Sequence, residues 1–417
     1  MARIDDGRLW RRLERLAGIT EPDRPWTRRS FTPRYLEGRE WLAQEFREAG
    51  LDVRLDAAGN LFGTLRGTEP GLPPILIGSH TDSVPSGGRF DGPLGVLAAL
   101  EVAQSLVERG EQLRHTLEVC DFLAEEPSEF GLSCVGSRAL AGKLTDDMLA
   151  MTRPDGMTLR EAIAYVGGDP ARLAEAARAP GSVAAYVEVH IEQGRVLESE
   201  GTDIGVVTDL ASIRREKILV TGRADHAGAT PMKLRADALV GAAAIVTAVH
   251  ERAAELAAER PFVATVGRIV NWPNAANAVP GSSELTLEVR SADEAAVERF
   301  AADVLAGLAG TLEAHSLKVE RGLISHVPPS PCDPFVQETI AKAAEKAGLT
   351  SRPLFSGAGH DGMWVSHVGP FGMIFVPCRD GRSHTPEEWT EPHQAAAGAK
   401  ALAETVELLD AELAPPA

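Results

Sequence analysis

Histidine and glutamate residues follow four strand-like stretches of the chain. The pairs are Ile75–Ile77 with His80, Thr116–Leu123 with Glu125 and Glu126, Ala184–Val189 with His190, and Gly372–Val376 with His384. In open α/β sheets, ligands bind at the carboxyl ends of strands, so we expect these side chains to converge. Imidazole and carboxylate donors together suit Zn²⁺, with Mn²⁺, Co²⁺ or Ni²⁺ as alternatives. The pattern therefore predicts a metal-dependent hydrolytic site.

Further carboxylates close to these positions could complete such a site. Asp82 follows His80 at a spacing that would let it accept the second ring N–H of that histidine, which raises the basicity of the ligand. Asp91 is available to bridge two metals, which lie about 3.5–4 Å apart in two-metal hydrolases. In the Glu125-Glu126 doublet, one carboxylate would bind metal and the other would act as general base.

Each of these residues also has a simpler interpretation. A single histidine on a strand is more often structural than a ligand, an Asp-Gly pair is usually a turn, and adjacent glutamates usually lie on the surface. The joint placement of all of them at one edge of one predicted sheet favours the catalytic interpretation.

The elements that must position these residues alternate between strands and helices, which predicts an α/β fold with covered sheet faces. Before the first histidine we expect two helices, one of them over Glu37–Ala49, and the strands Leu51–Leu55 and Asn60–Leu65. The fully apolar run Ile75–Ile77 predicts a buried central strand, and Gly95–Arg109 has the apolar spacing of a helix.

The middle of the chain has a different pattern. Its predicted elements follow the order strand, helix, strand, strand, helix, strand, which is the ferredoxin-like order. They are Lys217–Gly222, Ala236–Glu259, Phe262–Val270, Glu284–Arg290, Asp293–His315 and Leu317–Leu323. We therefore expect an α+β domain over 212–327, inserted into a mixed-sheet catalytic domain formed by 1–211 and 328–417.

Length and charge limit the class of protein. The 417 residues are too many for one core of the usual size, so two domains are expected. The formal charge of −18 disfavours nucleic acid as a partner, because phosphate groups would be repelled. The four cysteines are scattered, and the sequence contains neither the apolar core of a signal peptide nor a stretch long enough to span a bilayer. We therefore expect a cytoplasmic protein that does not associate with membranes.

Six segments, in order along almost the whole chain, resemble the motifs of M20-type amidohydrolases of the N-carbamoyl-L-amino acid hydrolase and allantoate amidohydrolase group. They are Gly78–Pro85, Gly87–Val96, His190–Gly194, Asp225–Met232, Ser356–Asp361 and Ser383–Glu387. The resemblance implies a di-metal, aminopeptidase-like catalytic domain, with 212–327 as a lid through which a homodimer forms. It also implies hydrolysis of the ureido C–N bond of a small carboxylated substrate, such as an N-carbamoyl-L-amino acid, with release of ammonia and CO₂.

The resemblance further implies roles for individual residues. The implied ligands of two divalent metal ions are His80, Asp91, Glu126, His190 and His384, with Asp91 bridging. Glu125 is implied as the general base, and Asp82 as the partner of His80. The implied substrate-binding residues are Gln193, His226, Asn277 and Arg290. In this family, the histidine that corresponds to His226 usually enters the active site of the partner subunit and stabilises the oxyanion.

Three departures from the pattern of the group leave the exact substrate open. Glu129, within Pro127–Gly131, replaces a basic residue, Ile213 replaces a glutamine, and Gly362 replaces an alanine. An allantoate or ureidoglycolate amidohydrolase is therefore an alternative, and an aminoacylase or peptidase of the same broad fold is a less favoured one. A non-catalytic binding protein would require loss of a ligand or of the base, and every one of these residues is present.

Overall fold

The computed structural model describes residues 4–413. The chain divides into two compact units. The first contains the chain up to Thr208, Cys332–Leu354 and the chain from His360 onward, and the second contains Asp209–Pro331 and Phe355–Gly359. The sequence pattern assigns 355–359 to the catalytic domain, whereas the structure groups this short segment with the second unit.

Helices and strands alternate along most of the described chain. The helices are α1 (Asp6–Ala17), α2 (Pro33–Glu48), α3 (Pro93–Arg109), α4 (Val135–Leu140), α5 (Asp146–Leu149), α6 (Leu159–Tyr165), α7 (Val196–Glu200), α8 (Ala238–Ala257), α9 (Glu294–Gly307), α10 (Ala309–Ala314), α11 (Pro334–Lys346), α12 (Gly362–Val365) and α13 (Pro392–Glu412). The strands are β1 (Asp52–Leu55), β2 (Leu61–Leu65), β3 (Ile75–His80), β4 (Leu117–Phe122), β5 (Ala185–Ile191), β6 (Ile204–Leu210), β7 (Ser212–Thr221), β8 (Asp225–His226), β9 (Phe262–Trp272), β10 (Ala278–Val279), β11 (Ser282–Ser291), β12 (Lys318–Val327), β13 (Ser330–Pro331), β14 (Ser351–Ser356) and β15 (Phe371–Val376).

A mixed sheet forms the centre of the first unit, with the strand order β1-β2-β4-β3-β5-β15-β6. Strands β4, β3, β5 and β15 run parallel to one another, and β2 and β6 pair antiparallel on either side. Every residue of the four parallel strands is buried. The predicted α/β sheet with a buried centre is confirmed, because strands covered on both faces read as continuous apolar runs.

Helix α3 packs against the parallel strands β3, β4 and β5. It begins with Pro93 in its first turn and ends at Gly110, whose left-handed backbone conformation is one that glycine adopts at low cost. The helix is buried along most of its length, which explains its predominantly apolar sequence. The predicted helix Gly95–Arg109 is confirmed and begins two residues earlier.

The second unit contains the elements β7, α8, β9, β11, α9 and β12, in strand, helix, strand, strand, helix, strand order. Its antiparallel sheet has the order β12-β7-β11-β9, and α8 and α9 cover one face. Along β11, buried and half-buried residues alternate, as expected for a sheet with one covered face. Strands β8 and β10 of this unit form a separate two-stranded antiparallel sheet.

One predicted helix of the second unit is wrong in detail. The single helix expected over Asp293–His315 is two helices, α9 and α10, separated at Leu308. Gly307 and Gly310 flank the break, and glycine lowers helix stability because its unfolded backbone has more conformational freedom to lose.

None of the helices in the described part of the chain has the length and apolar character that a membrane crossing requires. Cys120, Cys134 and Cys378 are buried free thiols. Cys120 and Cys378 contribute to the core as small buried hydrophobic residues.

Candidate metal centre

The four strands that precede the candidate ligands are neighbours in the central sheet, in the order β4-β3-β5-β15. His80 is the last residue of β3, and His190 is the last but one of β5. Glu125 and Glu126 follow β4, and His384 follows β15. Because the four strands are parallel, these residues all lie at the carboxyl edge of the sheet, where the sequence pattern places them.

Two clusters of possible ligand atoms share Asp91. One consists of His80, Asp91 and His190, and the other of Asp91, Glu126 and His384. In the first, Oδ1 of Asp91 lies 3.1 Å from Nε2 of His190 and 3.7 Å from Nε2 of His80. In the second, Nε2 of His384 lies 3.4 Å from Oδ2 of Asp91 and 3.1 Å from Oε1 of Glu126. The carboxylate thus presents one oxygen to each cluster, as a bridging ligand does.

The ring nitrogens of His80 and His190 show that the first cluster fits a cation. Nδ1 of His80 faces the main-chain oxygen of Asp82 at 3.1 Å, and Nδ1 of His190 faces that of Ile191 at 2.9 Å. A carbonyl oxygen only accepts, so each Nδ1 carries a hydrogen, and once the ring has lost its second proton Nε2 presents a lone pair. Both Nε2 atoms are buried, and neither has a hydrogen-bond partner among the described residues. In a buried site, an Nε2 atom that faces a carboxylate oxygen is stabilised by a positive charge between them, which either a proton or a metal cation can supply.

The pKa values reflect the same crowding in the protein without cations. Burial lowers the pKa of His80, but the neighbouring carboxylates, Glu125 first, outweigh it and raise this pKa well above its usual range. Hydrogen bonds to Asp91 and Glu126 raise the pKa of His384 to about 11. Burial raises the pKa values of Glu125 and Glu126. Protons therefore compensate the carboxylates where cations would otherwise do so.

Asp82 supports the loop that carries the glutamate doublet. Its Oδ1 and Oδ2 accept the main-chain N–H groups of Glu125 (3.2 Å) and Glu126 (3.3 Å). The chain turns into this loop at Ala124, which has a positive φ of 52°. The Asp82 carboxylate lies 3.6 Å from Nδ1 of His80, farther than the main-chain oxygen of the same residue. Asp82 is therefore placed beside His80 as expected, but its main-chain oxygen is the closer acceptor.

The two glutamates differ in position. Glu126 belongs to the second cluster, whereas Glu125 belongs to neither, although its Oε2 lies 3.6 Å from Nε2 of His80. The thiol of Cys134 donates a hydrogen bond to Oε1 of Glu125, with a sulfur–oxygen distance of 3.6 Å. Burial raises the pKa of Glu125, and a buried carboxyl beside the clusters can serve as a general base.

Gln193 also lies at the clusters, where its side chain contacts the candidate ligand Asp91. Its side-chain nitrogen donates to Oδ2 of Asp91 at 2.7 Å. Close packing against His80 also requires a glycine at position 92, directly after Asp91. A Cβ on Gly92 would lie 2.3 Å from the ring of His80, and Gly92 has a φ of +83°.

The remaining predicted residues belong to the second unit. Nδ1 of His226 accepts the main-chain N–H groups of Gly228 (3.0 Å) and Ala229 (3.2 Å), so its exposed ring carries the hydrogen on Nε2. Asn277 precedes β10, and its main-chain oxygen accepts the N–H of Ala227 at 2.9 Å. The structure thus brings His226 and Asn277 together at the β8–β10 pair.

Arg290 lies elsewhere in the same unit. It pairs with Ile213 across the β11–β7 ladder, at the far end of that ladder from Thr221. Its guanidinium forms an ion pair with Glu288 at 2.7 Å and donates to the main-chain oxygen of Gly357 at 2.8 Å. The Arg290 guanidinium therefore already has partners in Glu288 and Gly357, which the sequence pattern does not indicate.

Several further buried groups of the first unit lie beside the clusters. Glu388 accepts the main-chain N–H groups of Phe90 (2.7 Å) and Asp91 (3.1 Å), and burial next to Asp91 raises its pKa to about 7. Glu188 and His360 form a third cluster with His190, whose ring lies 4.5 Å from that of His360. The sequence does mark His360 as a candidate, since it lies in Ser356–Asp361, a segment that resembles a family motif. Glu388 had no such signal, because a glutamate beside Glu387 resembles a surface doublet.

Two of the three departures have a visible structural setting. A Cβ on Gly362 would lie 2.7 Å from the ring of Phe371, which explains why alanine is absent there. Glu129 is exposed, on the loop after Glu126, so it does not contribute to the buried part of the centre.

Comparison with known proteins identifies the family. Residues 76–408 match the model of the peptidase family M20/M25/M40. The chain is 41% identical to an N-carbamoyl-L-amino acid amidohydrolase of Geobacillus stearothermophilus over 97% of this chain and 98% of that protein. It is 35% identical to a ureidoglycolate hydrolase of Arabidopsis thaliana, over 97% of this chain and 86% of that protein.

A crystal structure of an amidase of the hydantoinase/carbamoylase family from Burkholderia multivorans is similar throughout. It superposes with a TM-score of 0.90 at 36% identity, over 99% of this chain and all of that chain. With similarity across nearly the full length in sequence and in fold, the chain belongs to the peptidase M20/M25/M40 family, in its group of N-carbamoyl-L-amino acid and allantoate amidohydrolases.

Proposed function

We propose that this protein is a hydrolase of C–N bonds other than peptide bonds, and that it cleaves the ureido bond of N-carbamoyl-L-amino acids or similar small ureido acids. Water would convert such a substrate to the amino acid, ammonia and CO₂. The observation that carries the proposal is the sharing of Asp91 between two clusters of ligand atoms at the carboxyl edge of the sheet. The full-length relatives support the class of reaction.

The donor set suits two divalent cations, for which Zn²⁺ is our first choice and Mn²⁺, Co²⁺ or Ni²⁺ are alternatives. His80 and His190 would hold one ion, Glu126 and His384 the other, and Asp91 would bind both. What such ions supply is Lewis acidity, which lowers the pKa of water to about 7 and polarises a carbonyl group.

Glu125 would act as the general base. Its carboxylate lies beside both clusters but in neither, so it is free to take a proton from the attacking water. It would then return this proton to the departing nitrogen. Asp82 would hold the main chain of Glu125 and Glu126 through their N–H groups. Gln193 would orient Asp91 and, at the edge of the centre, contact substrate.

The second unit would supply substrate contacts as a lid. His226 has its Nδ1 engaged as an acceptor, so its Nε2–H is available as a donor to the developing oxyanion. Asn277 lies next to it and would bind the ureido group. The planar guanidinium of Arg290 matches the geometry of a carboxylate, which an N-carbamoyl acid presents. To bind it, Arg290 would have to give up its ion pair with Glu288 or bind both carboxylates at once. Closure of this lid on binding would exclude water.

A homodimer would reconcile the positions of these residues. Arg290 lies eight positions along β11 from Ser282, which is roughly 26 Å of extended strand. His226 and Asn277 lie beyond the Ser282 end, so one copy of the lid cannot easily direct both groups at one substrate. We therefore propose that each active site uses Arg290 of its own chain and His226 and Asn277 of the partner subunit.

The edge strand β9 supports dimerisation through this unit. It lies at one end of its sheet, so one side of its main chain has no neighbouring strand within the described residues. Val263, Ile269, Val270 and Trp272 on this strand are exposed. An exposed apolar edge is a site of pairing with another chain. We also propose a cytoplasmic location, which the buried free thiols support.

The proposal is tested by metal analysis together with ammonia release from four substrates. The panel is N-carbamoyl-L-methionine, allantoate, ureidoglycolate and N-carbamoyl-β-alanine. We expect turnover of N-carbamoyl-L-methionine, abolished by a chelator and restored by Zn²⁺ or Mn²⁺. Preference for allantoate or ureidoglycolate would select the alternative within the group. Active protein without bound cations, indifferent to chelators, would refute the proposal.

A further inference from the structure

Glu388 joins the two loops that carry Asp91 and His384. It is buried, and its Oε1 accepts the main-chain N–H groups of Phe90 at 2.7 Å and Asp91 at 3.1 Å. Its Oε2 accepts the hydroxyl of Ser383 at 3.1 Å, and that hydroxyl also contacts Oδ2 of Asp91. Since Ser383 directly precedes His384, one carboxylate ties together two ligand-bearing segments that are distant in the sequence.

The fit between these loops is close. A Cβ on Gly88 would lie 1.8 Å from the carboxylate carbon of Glu388, so the main chain of the loop lies directly on the carboxylate. The next residue, Trp389, contacts the same loop. The guanidinium of Arg89 lies 4.4 Å from the centre of its ring, and the ring of Phe90 meets it edge-on at 5.7 Å.

The two clusters depend on such support to different degrees. His80 and His190 are fully buried on β3 and β5, where main-chain ladders fix their positions. His384 lies in a loop, its side chain is 49% exposed, and its φ of 57° is disfavoured for a residue with a side chain. A conformation of this kind persists only where the surroundings impose it.

We propose that Glu388 is a positioning residue for the cluster of Asp91, Glu126 and His384, and that removal of its side chain weakens binding of one cation far more than the other. The inference rests on the proposed two-cation site. Glu388 acts through main-chain N–H groups and Ser383, so shape and hydrogen bonding matter and its negative charge does not. Glutamine, whose amide oxygen accepts the same N–H groups and whose nitrogen can donate to Ser383, should replace it.

The test compares E388A, E388Q and the matched control E387A, which alters the exposed neighbouring glutamate. Each full-length protein is loaded with Zn²⁺ and dialysed against graded chelator, and bound metal is measured by mass spectrometry. Wild type, E387A and E388Q should retain two ions per chain under the same conditions. E388A should lose one ion at roughly 10–100-fold lower chelator strength, as is typical when a group that supports ligands is removed.

The outcomes separate this inference from the proposed function. If wild type never binds two ions, the proposed site itself fails. If wild type binds two and E388A retains both as firmly, or if E388Q fails as E388A does, the positioning role of Glu388 is refuted. E388D keeps the charge but is one methylene shorter, so it should also lose one ion selectively, and it provides the test if E388A does not fold.

Discussion

His226 and Arg290 lie at opposite ends of the sheet of the second unit. His226 follows the Thr221 end of β7, whereas Arg290 pairs with Ile213 at the other end of that strand. In the proposed homodimer, two residues this far apart in one sheet would contact the same small substrate from different copies of the chain.

Mixing two impaired variants tests this arrangement. H226A should lose about 10²–10³-fold in kcat, and R290A should raise KM, because each lacks one contact to the substrate. If His226 acts in the partner site, a mixed dimer has one complete site. At substrate concentrations far below the KM of R290A, co-refolded H226A and R290A should then recover about a quarter of wild-type activity, since half of the dimers are mixed and half of their sites are intact. No recovery in dimers shown to be mixed would mean that both residues act within one chain.

Substitution of Glu125 should separate chemistry from cation binding. E125A should lower kcat by roughly 10²–10⁴-fold, the usual contribution of a general base, and should still bind two cations because Glu125 belongs to neither cluster. E126A is the matched comparison and should lose a cation. Steady-state kinetics and metal analysis on the same samples check both statements. Full activity in E125A would disprove the assigned role.

Cation affinity should rise with pH through the neutral range. In the protein without cations, neighbouring carboxylates raise the pKa values of His80 and His190, and that of His384 to about 11. The His384 ring is therefore protonated at neutral pH, and a cation must displace its proton, so acid weakens binding. Calorimetric titration with Zn²⁺ in two buffers of different ionisation enthalpy should show net proton release. Binding without proton release at pH 7 would contradict the shifts.

Replacement of Gly92 should disturb the ligand it contacts. In G92A the new methyl group would lie 2.3 Å from the ring of His80, in addition to the strain of a positive φ. We expect lower Zn²⁺ affinity at the cluster of His80 and a loss of stability exceeding about 1–2 kcal/mol.

G110A is the matched control for this substitution, since Gly110 has a φ of +64° and nothing within 4 Å of an added Cβ. It should cost about 1–2 kcal/mol from backbone strain alone, with unchanged cation binding. Thermal unfolding and metal titration compare the two. Equal effects of G92A and G110A on cation binding would show that the contact with His80 is unimportant.

Much of this architecture is determined by local sequence. The apolar run of β3, the alternation along β11 and the caps of α3 specify their elements because burial and main-chain geometry act over a few residues. The break at Leu308 escaped prediction, since flanking glycines weaken a helix without specifying where it ends. The order of the candidate ligands at successive strand ends was readable, because parallel strands end at the same edge of a sheet.

Only the tertiary structure decided which side chains meet. The contact of Glu388 with the loop of Asp91, and the ion pair of Arg290 with Glu288, join groups through packing that no local pattern encodes. The same is true of Asp91, whose two oxygens face two clusters only because β3, β5 and the loop after β15 converge. The sequence determined the kinds of donor atoms and the strands that carry them, whereas three-dimensional packing determined their distances, and those distances govern the chemistry.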